Sequence, residues 1–362
     1  MRKRMLSVIL ALCTAMLLAG CGKVQEPPVV ESQEIEQSQA QPGVDEGMNS
    51  DSNQAEDKGN AQQEENDDNG DSDAADAITE EVTFEALSKR RFDFSSGAGG
   101  WYEEFTIEKD GYFTGQYSDY DLGVTGESYP DGTVYRCSYS GHFTDLIKVS
   151  DYVYEMKLKD ISYKVEPGEE RLFDGMMEVY TGSYIFGEND TFTVYAPGMP
   201  VSELNEELYL WIRDYVTDET QLTMLVVADT KNNYAASSVE RPAPYEDAKM
   251  TYDTYKESID YYADKLANEA QTTMDMVLYS GKKYELCDEY LNYLWNLIRY
   301  NVPKETYDQL LEQQRTWIAS KEEKANEIRE EYGGGTFAPV DVNDTLAEMT
   351  LKRCEELIDY LR

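Results

Sequence analysis

The pattern of hydrophobic and polar residues changes twice along the chain. Between about residues 82 and 242, apolar residues alternate with polar ones in short runs, a period of two that is typical of half-buried β-strands. From about residue 243 to the end, apolar residues recur three and four positions apart, as in amphipathic helices. Residues 23–81 show neither period. The pattern predicts an unstructured segment, then a β-rich domain, then a helical domain.

The β-rich domain, residues 82–242, is predicted to form one antiparallel barrel or sandwich. Phe105 and Ile107 alternate with polar neighbours, and Asp110-Gly111 is a hairpin signal before a return strand over 112–117. The alternations at 152–158 and 192–196 predict further strands, and the apolar run at 222–227 predicts a buried one. One helix is expected over 203–215, with Ser202 as its N-cap. Short strands with frequent turns are typical of barrels and sandwiches.

The helical domain, residues 243–362, contains four apolar stripes. A break is expected at Ser280-Gly281, and the third helix is expected to stop at Gly333 and lead into a loop that runs to Asn343. Because each helix has one apolar face, the helices must pack on each other as a bundle. The stripes comprise Tyr252, Tyr255, Ile259, Tyr262, Leu266 and Ala270; Cys287, Leu291, Leu294 and Ile298; Tyr307, Leu310, Leu311, Gln314, Trp317, Ile318 and Ile328; and Leu346, Met349, Thr350, Arg353, Leu357 and Leu361.

Charge narrows the choice of partners. The formal net charge of −40 disfavours nucleic acid, because phosphate binding needs basic patches. It favours a basic protein partner, although an acidic surface that only keeps the protein soluble explains the charge equally well. Residues 23–81 carry 18 acidic residues, two lysines and no aromatic residue, so they are predicted to be a disordered, extended tether.

The residues that usually carry catalysis are scarce. His142 is the one histidine, and a lone histidine in a predicted strand is more often structural than catalytic. No nucleophile motif stands out, and no spacing singles out a pair of carboxylates. The sequence therefore predicts neither an enzyme nor a cofactor or metal site. A perturbed carboxylate pair in a deep cleft would reopen the question.

The first residues form a pattern of their own. Three basic residues at 2–4 precede a mostly apolar run over 6–18, which is too short to span a membrane and ends in Leu18-Ala19-Gly20-Cys21. This order resembles a bacterial lipoprotein signal peptide with its lipobox. The resemblance implies cleavage before Cys21, a lipid on its sulfur, and attachment to the outer face of the cell membrane. The tether, residues 21–81, would then lift the folded domains away from the membrane.

Two segments of the β-rich domain carry a second resemblance. They are 94–101, which reads FSSGAGGW, and 126–135, which reads GESYPDGTVY. Both resemble the first domain of other lipoproteins of anaerobic, low-GC bacteria. The resemblance implies a lipocalin-like fold and no particular function. A barrel of this kind either holds a ligand in its mouth or is filled by its own side chains, and the filled barrel is the favoured expectation.

Five short motifs follow one another in the helical domain. They are Gln271 with Met274; Asp288, Leu291 and Asn292; Leu311, Gln314, Arg315 and Trp317; Gly334, Gly335 and Thr336; and Thr350, Arg353 and Leu357. Their order and spacing over about 271–361 resemble the LprI-type lysozyme inhibitor family. The resemblance implies binding to a lysozyme-type muramidase, or another basic cell-wall hydrolase, and blocking of its cleft.

The chain departs from that family at its cysteines. The family usually links the long helix to the start of the last helix by a disulfide, but residues such as Ala325 and Thr345 occupy those places here. Of the cysteines downstream of Cys21, Cys287 and Cys354 are expected in neighbouring helices, and a substitute pair between them is a hypothesis. Without the family disulfides, the rigidity of an inhibitory loop needs another source.

Most of the motif residues also lie on the apolar stripes. Leu291, Leu311 and Trp317 are therefore more readily interpreted as core residues than as contacts with a partner. Gln314 and Arg353 are expected to make buried or half-buried hydrogen bonds between helices, and Arg353 is expected to pair with Asp288 or another helix carboxylate. The better candidate for contact is the loop, with Gly333, Gly334, Gly335, Thr336 and Phe337. The alternative function is an envelope binding protein whose β domain captures a small ligand, with the helices as a structural adaptor.

Overall fold

The structure is a computed structural model that describes residues 81–95, 100–187 and 189–362. The predicted signal peptide, Cys21 and the acidic segment up to residue 80 lie outside the described residues, so their expected roles stay predictions. The described chain consists of an antiparallel β-barrel over about residues 90–240 followed by helices over 244–361. The expected fold class, a barrel or sandwich followed by helices, is therefore confirmed, and the barrel is the form adopted.

Ten strands of the described chain form one sheet, and eight of them close into the barrel. Around the barrel the order is β1-β2-β3-β4-β5-β8-β9-β10, and β10 pairs again with β1. Every one of these eight pairings is antiparallel. The strands are β1 Arg90–Ser95, β2 Trp101–Ile107, β3 Tyr112–Asp121, β4 Thr133–Lys148, β5 Val153–Tyr163, β6 Glu170–Phe173, β7 Met176–Tyr180, β8 Thr191–Tyr195, β9 Val226–Asp229 and β10 Tyr234–Glu240.

The long strand β4 closes the barrel and carries an extension. It pairs with β3 along ten residues, from Tyr112 opposite His142 to Asp121 opposite Thr133. Its first residues also pair in parallel with β7, and β6 pairs with β7 as an antiparallel hairpin. The β6–β7 hairpin therefore lies outside the closed barrel, beside the start of β4.

The barrel interior is filled by aromatic side chains. Phe186, in the connection between β7 and β8, is 1% exposed and lies against five other rings, with ring centroids 4.8 to 5.7 Å away. Those rings belong to Phe105, Phe113, Tyr139, Phe143 and Phe192. The filled barrel is the form that the sequence favoured.

Two local predictions in this domain were wrong in detail. The helix expected over 203–215 is α2, Glu206–Ile212, between two single 3₁₀ turns, and its N-cap is Asn205, whose side chain accepts a hydrogen bond from the Glu207 amide at 2.8 Å. Ser202 instead belongs to the first 3₁₀ turn. The strand expected at 222–227 is shorter, because Leu222 packs under α2 and only β9 joins the sheet. A short helix, α1 Phe84–Leu87, precedes β1.

Four longer helices follow the barrel: α3 Pro244–Asn268, α4 Thr273–Asn301, α5 Lys304–Glu331 and α6 Ala338–Ile358. The predicted break at Ser280-Gly281 was wrong, because α4 runs through it. Ser280 is fully buried, and its hydroxyl oxygen lies 3.2 Å from the Asn343 amide nitrogen of α6. The small residues therefore allow a close approach of α6 and do not end the helix. The chain turns instead at 269–272, where Thr272 caps α4 through a capping box with Asp275.

The loop expected to run from Gly333 to Asn343 is also shorter than predicted. Helix α5 does end just before the glycines, but α6 begins at Ala338, with Pro339 in its first turn. Proline is favoured there because the first helical amide has no acceptor within the helix. The connection between α5 and α6 is therefore the turn 332–337.

The helices are fixed to the barrel by buried and half-buried ion pairs. The Lys265 ammonium of α3 lies 2.5 Å from the Asp174 carboxylate in the β6–β7 turn, and the Lys164 ammonium lies 2.5 Å from Glu289 of α4. Arg241, just after β10, lies 3.0 Å from Glu108 and 3.7 Å from Asp247 of α3, with 13% of its side chain exposed. The helical domain is thus seated on the barrel along α3 and α4.

Candidate functional site

The turn 332–337 between α5 and α6 is an exposed surface held at both ends by helices. Gly333 and Gly334 have positive φ angles of 53° and 84°, a backbone conformation that glycine adopts without steric cost. The Gly335 amide donates to the Tyr332 carbonyl at 2.9 Å, and the Ala338 amide donates to the Gly335 carbonyl at 3.1 Å. Backbone hydrogen bonds and the helix ends therefore define the turn, with no disulfide needed.

Two aromatic rings stand at the base of this turn. Phe337 is 44% exposed, Tyr332 is 36% exposed, and their ring centroids are 6.2 Å apart. Exposed aromatic side chains on a rigid turn bury a large area on binding and lose little conformational entropy. Every residue of the predicted contact loop, from Gly333 through Thr336 to Phe337, is exposed.

The end of α5 next to the turn is acidic. Glu323, Glu327, Glu330 and Glu331 are all exposed, and the Lys324 ammonium lies 3.0 Å from the Glu327 carboxylate. An exposed pair of this kind adds little stability, since solvent screens it. Its charges still contribute to the field that a basic partner meets.

The motif residues of the helical domain divide between the core, polar contacts between helices, and exposed positions such as Gln271, Met274 and Arg315. Leu291 and Thr350 are buried in the helix packing, at 5% and 0% exposure. Gln314 of α5 and Arg353 of α6, each 8% exposed, meet through a hydrogen bond of 3.0 Å from the Arg353 Nε to the Gln314 Oε1. Arg353 also lies 3.1 Å from Glu356. The expected hydrogen bond between helices is therefore confirmed, and of the two alternatives for Arg353 the carboxylate is Glu356 of its own helix and not Asp288.

Asp288 instead interacts with α5. The Lys321 ammonium lies 3.3 Å from its carboxylate, 2.9 Å from the Tyr284 hydroxyl and 5.0 Å from the centre of the Trp317 ring. Asn292 donates to Asp288 from one turn along α4. These contacts join α4 to α5.

The cysteines of the described chain are free thiols. Cys287 and Cys354 are both fully buried and are not joined, so the hypothetical substitute disulfide is not formed in this structure. Burial raises the pKa of Cys287 to about 12 and that of Cys354 well above its ordinary value. Both thiols are therefore protonated and behave as small apolar residues of the core.

A buried carboxylate in the barrel is a feature that the sequence did not reveal. Glu103 is fully buried, and its carboxylate accepts hydrogen bonds from the Ser183 hydroxyl at 2.5 Å and from the amides of Tyr184 and Ile185 at 2.9 and 3.1 Å. Burial nevertheless raises its pKa above the ordinary value. Its role is to hold the segment that fills the barrel. The one signal in the sequence is the alternation of residues along β2, which predicts that Glu103 faces inward with Phe105.

A cleft of about 410 Å³ lies where α3 and α4 cover the outer face of β1, β2 and β3. Glu104 and Asp247 face it, and Arg91 lies 3.6 Å from the Glu104 carboxylate. Gln116 donates to Glu104 at 2.7 Å, so these charges are already paired within the protein. The cleft is part of the junction between the barrel and the helices, and burial raises the pKa of Glu104 in it above the ordinary value.

Other kinds of site find no support in the described residues. His142 lies on β4, with its Nδ1 3.0 Å from the Asp160 carboxylate, a cross-strand pair at the surface. In the described ranges, no group of three or more histidine, cysteine or acidic residues is arranged to hold a metal ion. Within the same ranges, no helix combines the length and the apolar character needed to cross a membrane.

The geometry defines a class of protein: a filled antiparallel barrel that carries a helical domain, which presents a short aromatic turn. Comparison with known families then finds a match within the helical part. Residues 263–357 match the family described as Lysozyme inhibitor LprI. The matched residues contain α4, α5, the turn and nearly all of α6. The resemblance that the sequence motifs indicated is thereby confirmed. No curated protein and no solved structure matches the chain.

Proposed function

We propose that this protein is a surface lipoprotein that binds a lysozyme-type muramidase through the turn 332–337 and blocks its cleft. The observation that carries the proposal is the exposed pair Tyr332 and Phe337 within the region that matches the inhibitor family. The family that this region matches is described as an inhibitor, not as an enzyme. A small aromatic projection on a rigid turn is suited to a concave groove, because such anchors supply most of the binding energy at many interfaces.

Charge supports the same partner. The chain has a net charge of −40, and the α5 end beside the turn exposes four glutamates. A basic cell-wall hydrolase would be attracted over about 8–10 Å at physiological salt, which raises the rate of encounter more than the affinity. Nucleic acid remains an unsuitable partner for so acidic a surface.

We further propose that the chain is held to the outer face of the cell membrane by a lipid on Cys21, with the acidic segment as a tether. The support is the order of basic start, short apolar run and lipobox in the sequence. Two acyl chains anchor a protein stably where one does not. Replacing Cys21 with alanine should move the protein from the membrane fraction to the soluble fraction and abolish labelling by palmitate. Unchanged fractionation and labelling would refute the anchor.

The inhibition test measures the clearing of a cell-wall suspension by a basic lysozyme. The purified full-length chain is used, because α3 and α4 are seated on the barrel through pairs such as Lys265–Asp174 and a separated helical fragment would expose that surface. Stoichiometric protein should slow lysis. An unrelated protein of equal acidity, at the same ionic strength, serves as the control for charge alone.

The matched variants are Phe337→Ala and Tyr360→Ala. Both rings are 44% exposed, but Tyr360 lies in the final 3₁₀ turn, outside the region that matches the family. Phe337→Ala should weaken inhibition by about tenfold or more, the loss typical of a contact at the centre of an interface. Tyr360→Ala should leave it unchanged. Equal effects of the two variants, or equal slowing by the acidic control protein, would rule out the turn as the contact.

A further inference from the structure

Six aromatic side chains meet at one end of the barrel and define what we term the aromatic cluster. They lie where β1 ends, β2 begins and β10 begins, beside the segment that fills the barrel and α2. The closest ring centroids are 4.9 Å apart for Phe94 and Trp211, 5.1 Å for Phe94 and Trp101, and 5.2 Å for Tyr184 and Tyr234. The cluster comprises Phe94, Trp101, Tyr117, Tyr184, Trp211 and Tyr234.

Part of this cluster is open to solvent. Phe94 and Tyr117 are buried, but Tyr184 is 45% exposed, and Trp211 and Tyr234 are half-buried. A cavity of about 640 Å³ lies beside them, with Trp211 and Tyr234 in its wall. That volume is in the range of ordinary small-molecule sites, which combine aromatic walls with a few polar groups.

The rest of the cavity wall combines the apolar surface of Leu210 and Tyr215 with polar side chains that have partners within the protein. Glu207 accepts a hydrogen bond from the Asn233 side chain, and the Asp214 carboxylate lies 3.7 Å from the Arg213 guanidinium. Asn232 donates to Asp229 at 2.8 Å. The wall therefore offers donors and acceptors close to aromatic rings, with two carboxylates, Glu207 and Asp214, and one guanidinium, Arg213.

This composition selects the chemical class of the ligand. An acyl chain would remove water from the exposed carboxylates of Glu207 and Asp214, which is costly because their partners do not replace all of their hydration. A polyanion would be repelled by a chain of net charge −40. A neutral sugar fits both halves of the wall: its hydroxyls exchange hydrogen bonds with carboxylates, amides and guanidinium, and its C–H face meets the electron-rich face of an aromatic ring.

We propose that the aromatic cluster and the adjoining cavity form a binding site for a neutral oligosaccharide. The site is built in advance of the ligand. The Trp211 ring is fixed by a hydrogen bond of 2.8 Å from its Nε1 to the Asn233 carbonyl, and the Tyr184 amide donates to the buried Glu103. Rings held in this way lose little entropy when a ligand binds. The site stands on the barrel alone and does not depend on the inhibitor proposal.

The test is a titration of the full-length chain with a defined probe, a linear β-1,4-linked tetramer of N-acetylglucosamine, in the absence of lysozyme. Two of the four tryptophans, Trp101 and Trp211, belong to the cluster, so intrinsic fluorescence reports occupancy. Saturable quenching is expected. Tyr234→Ala should weaken binding by about tenfold or more, whereas Tyr234→Phe, which keeps the ring, should bind within about threefold of the original chain.

Two further variants keep the test decisive. Tyr152→Ala removes a ring that is 40% exposed at the opposite end of the barrel, and it should leave binding unchanged. Asp214→Ala changes an exposed residue of the cavity wall, so it serves if Tyr234→Ala fails to fold, and a loss of threefold or more is expected. Absence of saturable quenching, or equal losses for Tyr234→Ala and Tyr152→Ala, would overturn the proposal. So would tetramethylammonium binding that depends on Tyr234 when the sugar does not bind, since the site would then be one for organic cations.

Discussion

The barrel and the α5–α6 end use aromatic residues in opposite ways. In the barrel, Phe186 is 1% exposed and is surrounded by five rings, whereas Phe337, just before α6, is 44% exposed and has one ring neighbour, Tyr332. The first arrangement stabilises the fold, because large apolar area leaves water. The second stabilises it little and leaves a surface for contact. Aromatic content alone therefore does not separate core from interface.

Helices α4 and α5 also differ in how many of their residues are buried. Helix α4 buries ten of its 29 residues, while α5, of similar length, buries four of 28. Helix α4 lies between the barrel and α6, and α5 rests mainly on α6. A long helix with so narrow a buried stripe owes its order to a few contacts, chiefly those of Leu310, Gln314, Ala325 and Ile328. Four substitutions test this difference between packed and exposed regions, and they are given in order of decreasing expected effect.

Phe186→Ala should cost about 3–5 kcal/mol of unfolding free energy, because it empties the centre of the filled barrel. Urea unfolding of the full-length chain measures this loss. Phe337→Ala is the matched control and should change stability by less than about 0.5 kcal/mol. Similar losses for the two substitutions would show that the aromatic turn is part of the core, and the contrast would fail.

Gln314→Leu should cost about 1–3 kcal/mol, because the Arg353 Nε would remain buried without its acceptor. The neighbouring substitution Gln313→Leu changes an exposed position on the same helix and should be nearly neutral. Denaturant unfolding followed by far-ultraviolet circular dichroism compares the two. A neutral Gln314→Leu would mean that the hydrogen bond contributes no net stability to α5.

Glu103→Gln should change how stability depends on pH. Because burial raises the pKa of Glu103 in the folded state, the folded chain keeps this proton to a higher pH than the unfolded chain does. Stability is therefore lost as pH rises from about 4.3, the ordinary glutamate pKa, through the raised folded-state pKa. Glutamine stays neutral at every pH. The unfolding free energy of the variant should therefore rise relative to that of the original chain as pH rises.

The limit for this shift is about 1.4 kcal/mol per pH unit, the value for one proton. Urea unfolding at several pH values above 4.3 measures it. The same substitution at the exposed Glu127 should give a difference that does not change with pH. A difference that is flat for Glu103→Gln as well would mean that its carboxylate is ionised in the folded chain throughout.

Gly334→Ala should cost about 1 kcal/mol, because its φ of 84° is unfavourable for a residue with a β-carbon. Gly334→Asn should cost less, since asparagine tolerates positive φ better than alanine does. Thermal unfolding of both variants, together with the lysis assay, separates turn geometry from stability. If both variants behave like the original chain in both assays, the glycine conformation is not what presents the aromatic rings.

Periodicity in the sequence predicted most elements of the fold. The alternation around Phe105 and Ile107 marked β2, the hairpin signal marked the turn into β3, and the glycines at 333–335 marked the end of α5. These signals are local, so they can be read from neighbouring residues. The choice between barrel and sandwich was left open, because the pairing of β3 with β4 and of β10 with β1 depends on contacts distant in sequence.

The wrong predictions also arise from contacts that are distant in sequence. Ser280-Gly281 has the composition of a helix break, yet tertiary packing against Asn343 keeps α4 continuous. The aromatic cluster was not predicted, because its rings come from β1, β2, β3, β10, α2 and the segment that fills the barrel. The loop predicted after Gly333 is correct only up to Phe337, because residues 338–343 belong to the last helix.

Closing eight strands into a ring leaves one outer edge in the described sheet, that of β6. An unpaired edge is where a second chain can add a strand and start aggregation. This edge is only four residues long, Glu170–Phe173, and begins with one acidic and one basic residue. Short charged edges resist strand addition, because a new strand would gain few hydrogen bonds and would bury charge. The barrel should therefore stay separate from its copies even when many chains crowd together on one surface.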